Sequence, residues 1–277
     1  MNTLKKLNFS KLMALFPARK KDIHKGECGN VVIIGGNEGM AGAPVLAAQA
    51  AYRVGAGRVI VATRAVHKMM ATLMCPEVQT EGVEEASQLK RILEKATVVA
   101  VGPGLGQDEW AVPLLQTLLL DFNLPLVVDA DALRLLVRFP QTRDNWVLTP
   151  HLGEAAALLK SCPIALKAKR EEAVMSIQSQ YGGTVILKGH HTLVSSAKAR
   201  TPMYCAQGNP GMASAGMGDV LTGVIVGLMA QGLENDVAAA LGVVLHAKAG
   251  DSAAKLGERG LMASDLLPHL RDWVNAK

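Results

Sequence analysis

The chain has 277 residues, 49% of them hydrophobic and 4% aromatic, and it carries a formal net charge of +5. This length leaves room for a sizeable core, and we expect one domain because no linker, repeat or low-complexity tract is visible. No apolar run reaches membrane length and no apolar segment follows the first lysines, so we expect a cytoplasmic protein with neither a membrane span nor a signal peptide.

Residues 1–23 are predicted to form a helical arm that packs on the domain or on a neighbouring molecule. Apolar residues recur there at roughly helical spacing, namely Leu4, Leu7, Phe9, Leu12, Leu15 and Phe16. Much of the positive charge lies in the same region, and the basic run at 19–25 has no interleaved aromatic residue on which a base could stack. We interpret this run as solvent-exposed and expect no nucleic-acid or membrane partner. The remaining positive charge would attract anionic substrates weakly.

Six apolar runs of strand length alternate with helical segments between residues 31 and 187. The predicted strands are 31–34, 58–63, 98–101, 126–129, 146–149 and 184–187. The predicted helices are 42–54, 85–95, 108–120, 131–138, 152–160 and 168–180. Uniformly apolar strands are buried on both faces, so the alternation predicts an α/β fold whose mostly parallel sheet lies between two helical layers.

The pattern changes after residue 188. Short antiparallel strands are predicted at 192–196 and 203–206, followed by two long apolar helices at 219–231 and 235–251 and a last helix at 264–275. Gly223 and Gly227 in the first long helix permit close helix contact, either inside one chain or between chains. The four cysteines lie far apart and form no CxxC pair, so we expect reduced thiols and neither a zinc site nor disulfides.

Polar and glycine-rich motifs follow five of the predicted strands. They are Gly35-Gly36-Asn37, the GPGLG segment at 102–106, Asp129-Ala130-Asp131, the TPHLGE segment at 149–154, and Lys188-Gly189. Glycine also ends strands for conformational reasons, so one such motif is a weak signal. Ligands of open α/β sheets bind beyond the carboxyl ends of the strands, so five motifs at that edge predict a shared cleft.

The segment GNPGMASAGMGD at 208–219 leads into the first long apolar helix. Glycines turn backbone N–H groups inward at a helix N-terminus, where the helix dipole adds positive potential, so the segment predicts an anion-binding site. Asp219 beside it would orient or deprotonate a hydroxyl that attacks a phosphoryl group, or it would merely cap the helix. No GKS or GKT sequence follows, so this is not a Walker A loop.

Seven motifs occur in one order along residues 24–250: His24-Lys25-Gly26 with Gly29, Gly35-Gly36 with Gly42-Ala43, 102–106, Asp129 to Leu133, 149–154, Lys188 to Thr192, and AGMGD at 215–219. The last resembles the GxGD signature of the ribokinase-like superfamily, and the whole set resembles the ADP- or ATP-dependent NAD(P)H-hydrate dehydratases. Two positions depart from the family pattern, Ala215 in place of a frequent Gly and Asn37 in place of Ser. Neither change removes a catalytic group.

The resemblance implies a ribokinase-like three-layer αβα sandwich and a lyase that returns the S epimer of NAD(P)H hydrate to NAD(P)H. Hydroxide is a poor leaving group, so ADP or ATP with Mg²⁺ would phosphorylate the ring hydroxyl, and the ring nitrogen would then expel phosphate. The substrates would be NADHX or NADPHX and an adenine nucleotide. Many relatives carry an N-terminal epimerase for which this chain is too short, so a separate NAD(P)HX epimerase is expected. The resemblance also implies a homotetramer.

The same resemblance implies roles for individual residues. Asp219 would be catalytic, with an anion hole at Gly216, Met217 and Gly218. Substrate-binding residues would be Ala43, Gly104, Gly106, His151 and Asp219, and nucleotide-binding residues Lys188, Gly189, His190, His191, Thr192 and Gly218. The alternatives are a helix-capping role for His151, a strand-end lysine at Lys188 and a packing role for Ala43. The side-chain roles of His190 and His191 are unassigned, and Asp129 and Asp131 either position Mg²⁺ or cap the next helix.

Two other functions stay open at this point. A kinase of the same superfamily, acting on a vitamin precursor or a sugar, would share Asp219 and its anion hole, although the motifs at 149–154 and 188–192 favour the dehydratase. A non-catalytic nucleotide sensor is disfavoured, because a carboxylate beside bound phosphate repels it and needs a catalytic reason.

Overall fold

Ten strands form one sheet at the centre of the computed structural model, which describes residues 4–276. They are β1 Lys5–Lys6, β2 Asn30–Ile34, β3 Arg58–Thr63, β4 Gln79–Gly82, β5 Val98–Val101, β6 Leu126–Val128, β7 Trp146–Leu148, β8 Thr184–Leu187, β9 Leu193–Ser196 and β10 Met203–Tyr204. Their order across the sheet is β1-β10-β9-β8-β7-β6-β5-β2-β3-β4. The run from β4 to β8 is parallel, whereas β9 pairs antiparallel with both β8 and β10. The predicted mostly parallel sheet is confirmed.

Helices cover both faces of this sheet. They are α1 Phe9–Met13, α2 Gly42–Arg53, α3 Lys68–Met74, α4 Ala86–Leu93, α5 Ala111–Asp121, α6 Ala130–Arg138, α7 Leu152–Leu158, α8 Pro163–Lys167, α9 Arg170–Tyr181, α10 Met217–Ala230, α11 Asn235–Ala253 and α12 Leu266–Val274. None of the helices within residues 4–276 is long and apolar enough to cross a membrane.

Successive side chains of the central strands point into two separate cores. In β2, Val31 and Ile33 belong to the core that also contains residues of α2, α10, α11 and α12, whereas Val32 and Ile34 belong to the core that contains residues of α4, α5, α6 and α9. Because side chains alternate along a strand, a strand buried on both faces must be apolar at every position. This confirms the three-layer αβα arrangement.

Glycines allow α10 to lie directly on α2. A Cβ atom on Gly223 would overlap the carbonyl oxygen of Ala47, and one on Gly227 would lie 2.7 Å from a Val54 methyl group and 2.8 Å from the Ala51 carbonyl oxygen. The close helix contact that these glycines predicted is therefore made inside the chain. It brings the N-termini of α2 and α10 side by side at the edge where the strands end.

Several elements differ from the sequence prediction. β4, α3 and α8 were not predicted: β4 has the polar sequence QTEG, because an edge strand with one neighbour needs no continuous apolar run. The predicted helical arm is wrong over most of its described length, because α1 spans five residues and β1 joins the sheet instead. Residues 1–3 of the arm lie outside the described part. Phe9 packs edge-on against Trp273 at a centroid distance of 5.6 Å, so the arm contacts its own domain.

We predict that Gly223→Ala lowers the free energy of unfolding by about 1–3 kcal/mol, because the new methyl group meets backbone that cannot rotate away. Urea unfolding followed by circular dichroism measures the change. Gly42→Ala is the matched control, since a Cβ atom there meets nothing within 4 Å and alanine favours a helix. A Gly223→Ala chain as stable as the parent would contradict the close α2–α10 packing.

Candidate active site

A buried ion pair joins the ends of two strands. Asp129 follows β6 and is only 1% exposed, and Lys188 follows β8. The Lys188 Nζ atom donates to Asp129 Oδ1 over 2.6 Å, and the Thr222 hydroxyl of α10 donates to Asp129 Oδ2 over 2.8 Å. Both oxygens of the carboxylate are therefore bound to protein. Asp129 gives the backbone of α6 no side-chain cap, so the capping alternative for Asp129 is wrong.

Glu154 on α7 adds a second carboxyl group beside the same lysine. Its Oε2 atom lies 3.8 Å from Lys188 Nζ and accepts a hydrogen bond from the His151 backbone over 2.8 Å. Burial raises the pKa of Glu154 to about 6, although the Lys188 charge opposes the rise. Burial alone would lower the pKa of Lys188, but the Asp129 and Glu154 carboxylates raise it above its ordinary value. Lys188 therefore stays charged at neutral pH and is more than a lysine at a strand end.

Asp219 lies in the first turn of α10. The helix begins after Gly216, whose φ of 86° is in the left-handed region that glycine adopts readily. Gly216 occupies the N-cap position, so the alternative that Asp219 caps the helix is wrong. Burial raises the pKa of Asp219 to about 7, with a further rise from the negative charge of Asp129 and a smaller opposing effect of Lys188. A carboxyl group with this pKa can accept a proton near neutral pH.

A cavity of about 630 Å³ opens beside this cluster. Its wall contains all six residues for which the family resemblance implies nucleotide binding: Lys188, Gly189, His190, His191, Thr192 and Gly218. The cavity is also lined by the apolar side chains of Met212, Leu221, Val243 and Ala247. A lysine together with apolar side chains in one cavity suits a ligand that has both anionic groups and a flat ring.

Ala43, Gly104 and Gly106, the small residues predicted to bind substrate, lie on two neighbouring segments. A Cβ atom on Gly104 would lie 3.3 Å from the Ala43 methyl group, at the start of α2. The Gly106 backbone N–H donates to Asp131 Oδ2 over 2.9 Å, and the charge of Asp131 contributes to the raised pKa of Asp219. Gly104 and Gly106 both have positive φ angles, of 58° and 75°. The loop after β5 therefore comes close to α2 on one side and to the carboxylates on the other.

His151 caps α7. Its Nδ1 atom accepts hydrogen bonds from the backbone N–H groups of Gly153 over 2.9 Å and Glu154 over 3.3 Å. Burial and the nearby Lys188 charge lower its pKa, so the ring is neutral at pH 7. The helix-capping alternative for His151 is therefore confirmed, and half of its side chain remains exposed. A ligand contact would have to use this exposed part of the ring.

Two residues that contribute to the site were missed by sequence reasoning. Thr222 is fully buried in α10, and His246 lies within the apolar helix α11 but lines the cavity. Burial lowers the pKa of His246 to about 4, and its Nε2 atom has no hydrogen-bond partner within residues 4–276. Both residues lie inside long apolar segments, so neither the sequence spacing nor a neighbouring motif distinguishes them.

A larger cavity, of about 840 Å³, lies at the other end of α2 and α10, where Arg53, Val54 and Gln231 contribute to its wall. It contains none of the predicted site residues. The predicted site residues are instead gathered at the carboxyl edge of the sheet, as expected for an open α/β fold.

Comparison with known proteins gives the family. The NAD(P)H-hydrate dehydratase family model matches residues 31–271. A bifunctional NAD(P)H-hydrate repair enzyme of Coxiella burnetii is 47% identical over 97% of the chain and 55% of its own length. An ADP-dependent (S)-NAD(P)H-hydrate dehydratase of Neisseria meningitidis serogroup B is 38% identical over 94% of the chain and 89% of its own length.

The fold has solved counterparts. The crystal structure of a ribokinase-like superfamily protein from Enterococcus faecalis superposes with a TM-score of 0.91 and 29% identity, covering 99% of this chain and 96% of that one. The chain spans about half the length of the bifunctional enzymes that it matches at higher identity. The match to the family model, the two similar sequences and the shared fold agree, and the chain belongs to the NAD(P)H-hydrate dehydratase family.

Proposed function

We propose that this chain dehydrates the S epimer of NAD(P)H hydrate back to NAD(P)H, at the expense of ADP or ATP. The observation that carries the proposal is the cavity lined by Lys188, Met217 and Gly218, next to which Asp219 follows in the first turn of α10 with a pKa raised to about 7. This combination supplies a cation for phosphate, backbone donors for the transferred group and a proton acceptor for a hydroxyl.

The reaction has two steps. In the first step, the oxygen of the ring hydroxyl attacks the terminal phosphorus of the nucleotide while Asp219 takes the hydroxyl proton. AMP is the leaving group when the donor is ADP. The backbone N–H groups of Gly216, Met217 and Gly218 hold the charge of the migrating phosphoryl group. The ring nitrogen lone pair then expels phosphate from the ester, and loss of a proton from the adjacent ring carbon restores the double bond.

Mg²⁺ fits this site as a companion of the nucleotide. No group of three or more His, Cys, Asp or Glu side chains within residues 4–276 is arranged to hold a metal ion. Magnesium in nucleotide sites needs only one or two carboxylates in addition to phosphates and water. Asp131 accepts one hydrogen bond at each oxygen, from the Gly106 backbone and the Gln107 side chain, and Glu154 Oε2 accepts one from the His151 backbone. Each carboxylate oxygen has two lone pairs, so both residues keep acceptor sites for the ion or its waters. When bound, the ion would neutralise phosphate charge.

The hydrate would occupy the side of the site formed by Ala43, Gly104, Gly106 and His151. Glycine at positions 104 and 106 lets the loop after β5 lie directly against Met40 and Asn37, and open space lies beside Gly42 at the start of α2. The exposed part of the His151 ring would contact the substrate while Nδ1 continues to cap α7. The nucleotide would lie along Lys188, Gly189, His190, His191 and Thr192.

We also propose the setting in which the chain works. The enzyme would act in the cytoplasm together with an NAD(P)HX epimerase that supplies the S epimer, because similar curated proteins are bifunctional repair enzymes. It would form a homotetramer. Val66, Met69 and Leu73, on and next to α3, are 74–76% exposed, and an exposed apolar patch of this kind is typical of subunit contacts. Sedimentation velocity of the purified chain measures the number of subunits.

The activity itself is tested by incubating the protein with NADHX, ADP or ATP, and Mg²⁺ while recording absorbance in the NADH band. We expect nucleotide-dependent recovery of NADH that stops once the S epimer is consumed and resumes when epimerase is added. Phosphorylation of a sugar or vitamin precursor without NADH recovery would establish the kinase alternative. Nucleotide binding without any turnover would establish the sensor alternative.

We predict that Asp219→Asn lowers kcat at least about 100-fold, because the amide cannot accept the hydroxyl proton. ADP affinity, measured by calorimetry, should stay equal or increase, since a negative charge beside phosphate is removed. Asp272→Asn, a change at an exposed carboxylate of α12, is the control and should leave both quantities unchanged. An Asp219→Asn enzyme with the parent kcat would eliminate the proposed base.

The pH dependence of kcat/KM should reflect Asp219. The base works only when ionised and its pKa is raised to about 7, so activity should fall as pH decreases through about 7 and level off above it. Asp131→Asn removes a charge that raises this pKa, so the midpoint should move to lower pH. Asp121→Asn on the outer surface of α5 is the control. A profile flat through neutral pH, or one that Asp131→Asn moves upward, would rule out this assignment.

A further inference from the structure

Asp129 connects two parts of the site that come from different elements. Its Oδ1 atom accepts from Lys188 at the end of β8, over 2.6 Å, and its Oδ2 atom accepts from Thr222 in α10, over 2.8 Å. Asp129 itself is anchored at the end of β6, where its backbone N–H donates to the Val101 carbonyl of β5 over 3.0 Å. One buried carboxylate therefore fixes a lysine and a helix relative to the sheet.

Thr222 lies three residues after Asp219 on the same helix. Residues three apart are neighbours on one helix face, so the Thr222–Asp129 hydrogen bond holds the turn that carries Asp219. Gly218 lies close to the ion pair: a Cβ atom there would be 3.4 Å from Lys188 Nζ and 3.6 Å from Asp129 Oδ2. The start of α10 therefore lies directly against the ion pair.

We propose that Asp129 and Thr222 are positioning residues, which set the distance between the nucleotide-contacting Lys188 and the helix turn carrying Asp219. The inference rests on the proposed function and goes beyond it, since neither side chain needs to touch the reacting atoms. A lysine amine ends a flexible four-carbon stem, so its location must be imposed by a partner. Phosphoryl transfer depends strongly on such placement, and an error of about 1 Å costs about 100-fold in rate.

The affinity for ADP distinguishes a positioning role of Asp129 from a purely electrostatic one. If Asp129 acted only as a nearby negative charge, Asp129→Asn would remove repulsion and ADP would bind more tightly. If Asp129 positions Lys188, the same substitution frees the amine and ADP binds more weakly, by about 10-fold. Titration calorimetry with ADP and Mg²⁺ gives the sign directly, without any need for turnover. Tighter ADP binding by Asp129→Asn would overturn the positioning role of this residue.

Substitutions of Thr222 test whether its hydrogen bond to Asp129 positions the turn of α10 that carries Asp219. They leave the ion pair between Asp129 and Lys188 in place. Thr222→Val keeps the shape of the side chain but removes the hydroxyl, and we expect kcat to fall about 10- to 100-fold while the KM for ADP changes far less. Thr222→Ser keeps the hydroxyl and should restore kcat towards the parent value. Thr184→Val is the matched control, because Thr184 is also buried but begins β8, at the opposite end of the strand from Lys188.

The kcat values of the two Thr222 variants decide whether Thr222 is a positioning residue. Equal loss of kcat in Thr222→Ser and Thr222→Val, or full kcat in Thr222→Val, would overturn the positioning role of Thr222. Circular dichroism and thermal melting confirm that each variant is folded before it is compared, and Thr222→Ser provides the milder change if Asp129→Asn fails to fold. A parent chain that binds ADP but regenerates no NAD(P)H would instead refute the proposed function, while the ADP titration would still test Asp129.

Discussion

The ion pair between Asp129 and Lys188 is the interaction on which the site depends. Burying either charge alone would cost several kcal/mol, so the pair is stable only because each partner satisfies the other and Thr222 completes the carboxylate. Such a pair contributes little net stability compared with apolar packing. The pair matters for geometry, because it joins the residues that follow β6 and β8 and holds a cation in the wall of the cavity.

The charge balance around that cation determines the chemistry available. One ammonium group faces the carboxyl groups of Asp129, Glu154 and Asp219. Lys188 contacts Asp129 directly and so compensates it most fully, and the two more distant carboxyl groups have raised pKa values, about 6 for Glu154 and about 7 for Asp219. An ordinary aspartate would be a weak base near neutral pH. The same excess of negative charge explains why an anionic nucleotide would arrive with a divalent cation.

Small residues bring the two halves of the site together. The N-terminus of α2 carries Ala43 on the side proposed for the hydrate, and the N-terminus of α10 carries the turn proposed to bind the phosphoryl group. Gly223 removes the side chain that would separate these helices, and a Cβ atom on Gly216 would lie 2.7 Å from Leu46 of α2. The packing of α2 on α10 therefore also sets the geometry of the site. A change in the interface between these two helices would alter the distance between the positions proposed for the hydrate and the nucleotide.

The sequence by itself determined the strands, the layer order and the positions of the motifs, because buried parallel strands must be apolar throughout and ligand-binding loops follow them. It also led to the prediction of Asp219, since a glycine-rich turn at a helix start is a signal of phosphate binding. The family resemblance led to the prediction of Lys188 to Thr192, which line one cavity in the structure. Only the tertiary structure gave the role of Asp129, the partnership with Thr222, the polar edge strand β4 and the short α1. These features depend on contacts between residues that are far apart in the chain. Asp129 and Thr222, for example, are separated by 93 positions, and a local sequence pattern cannot predict such a contact.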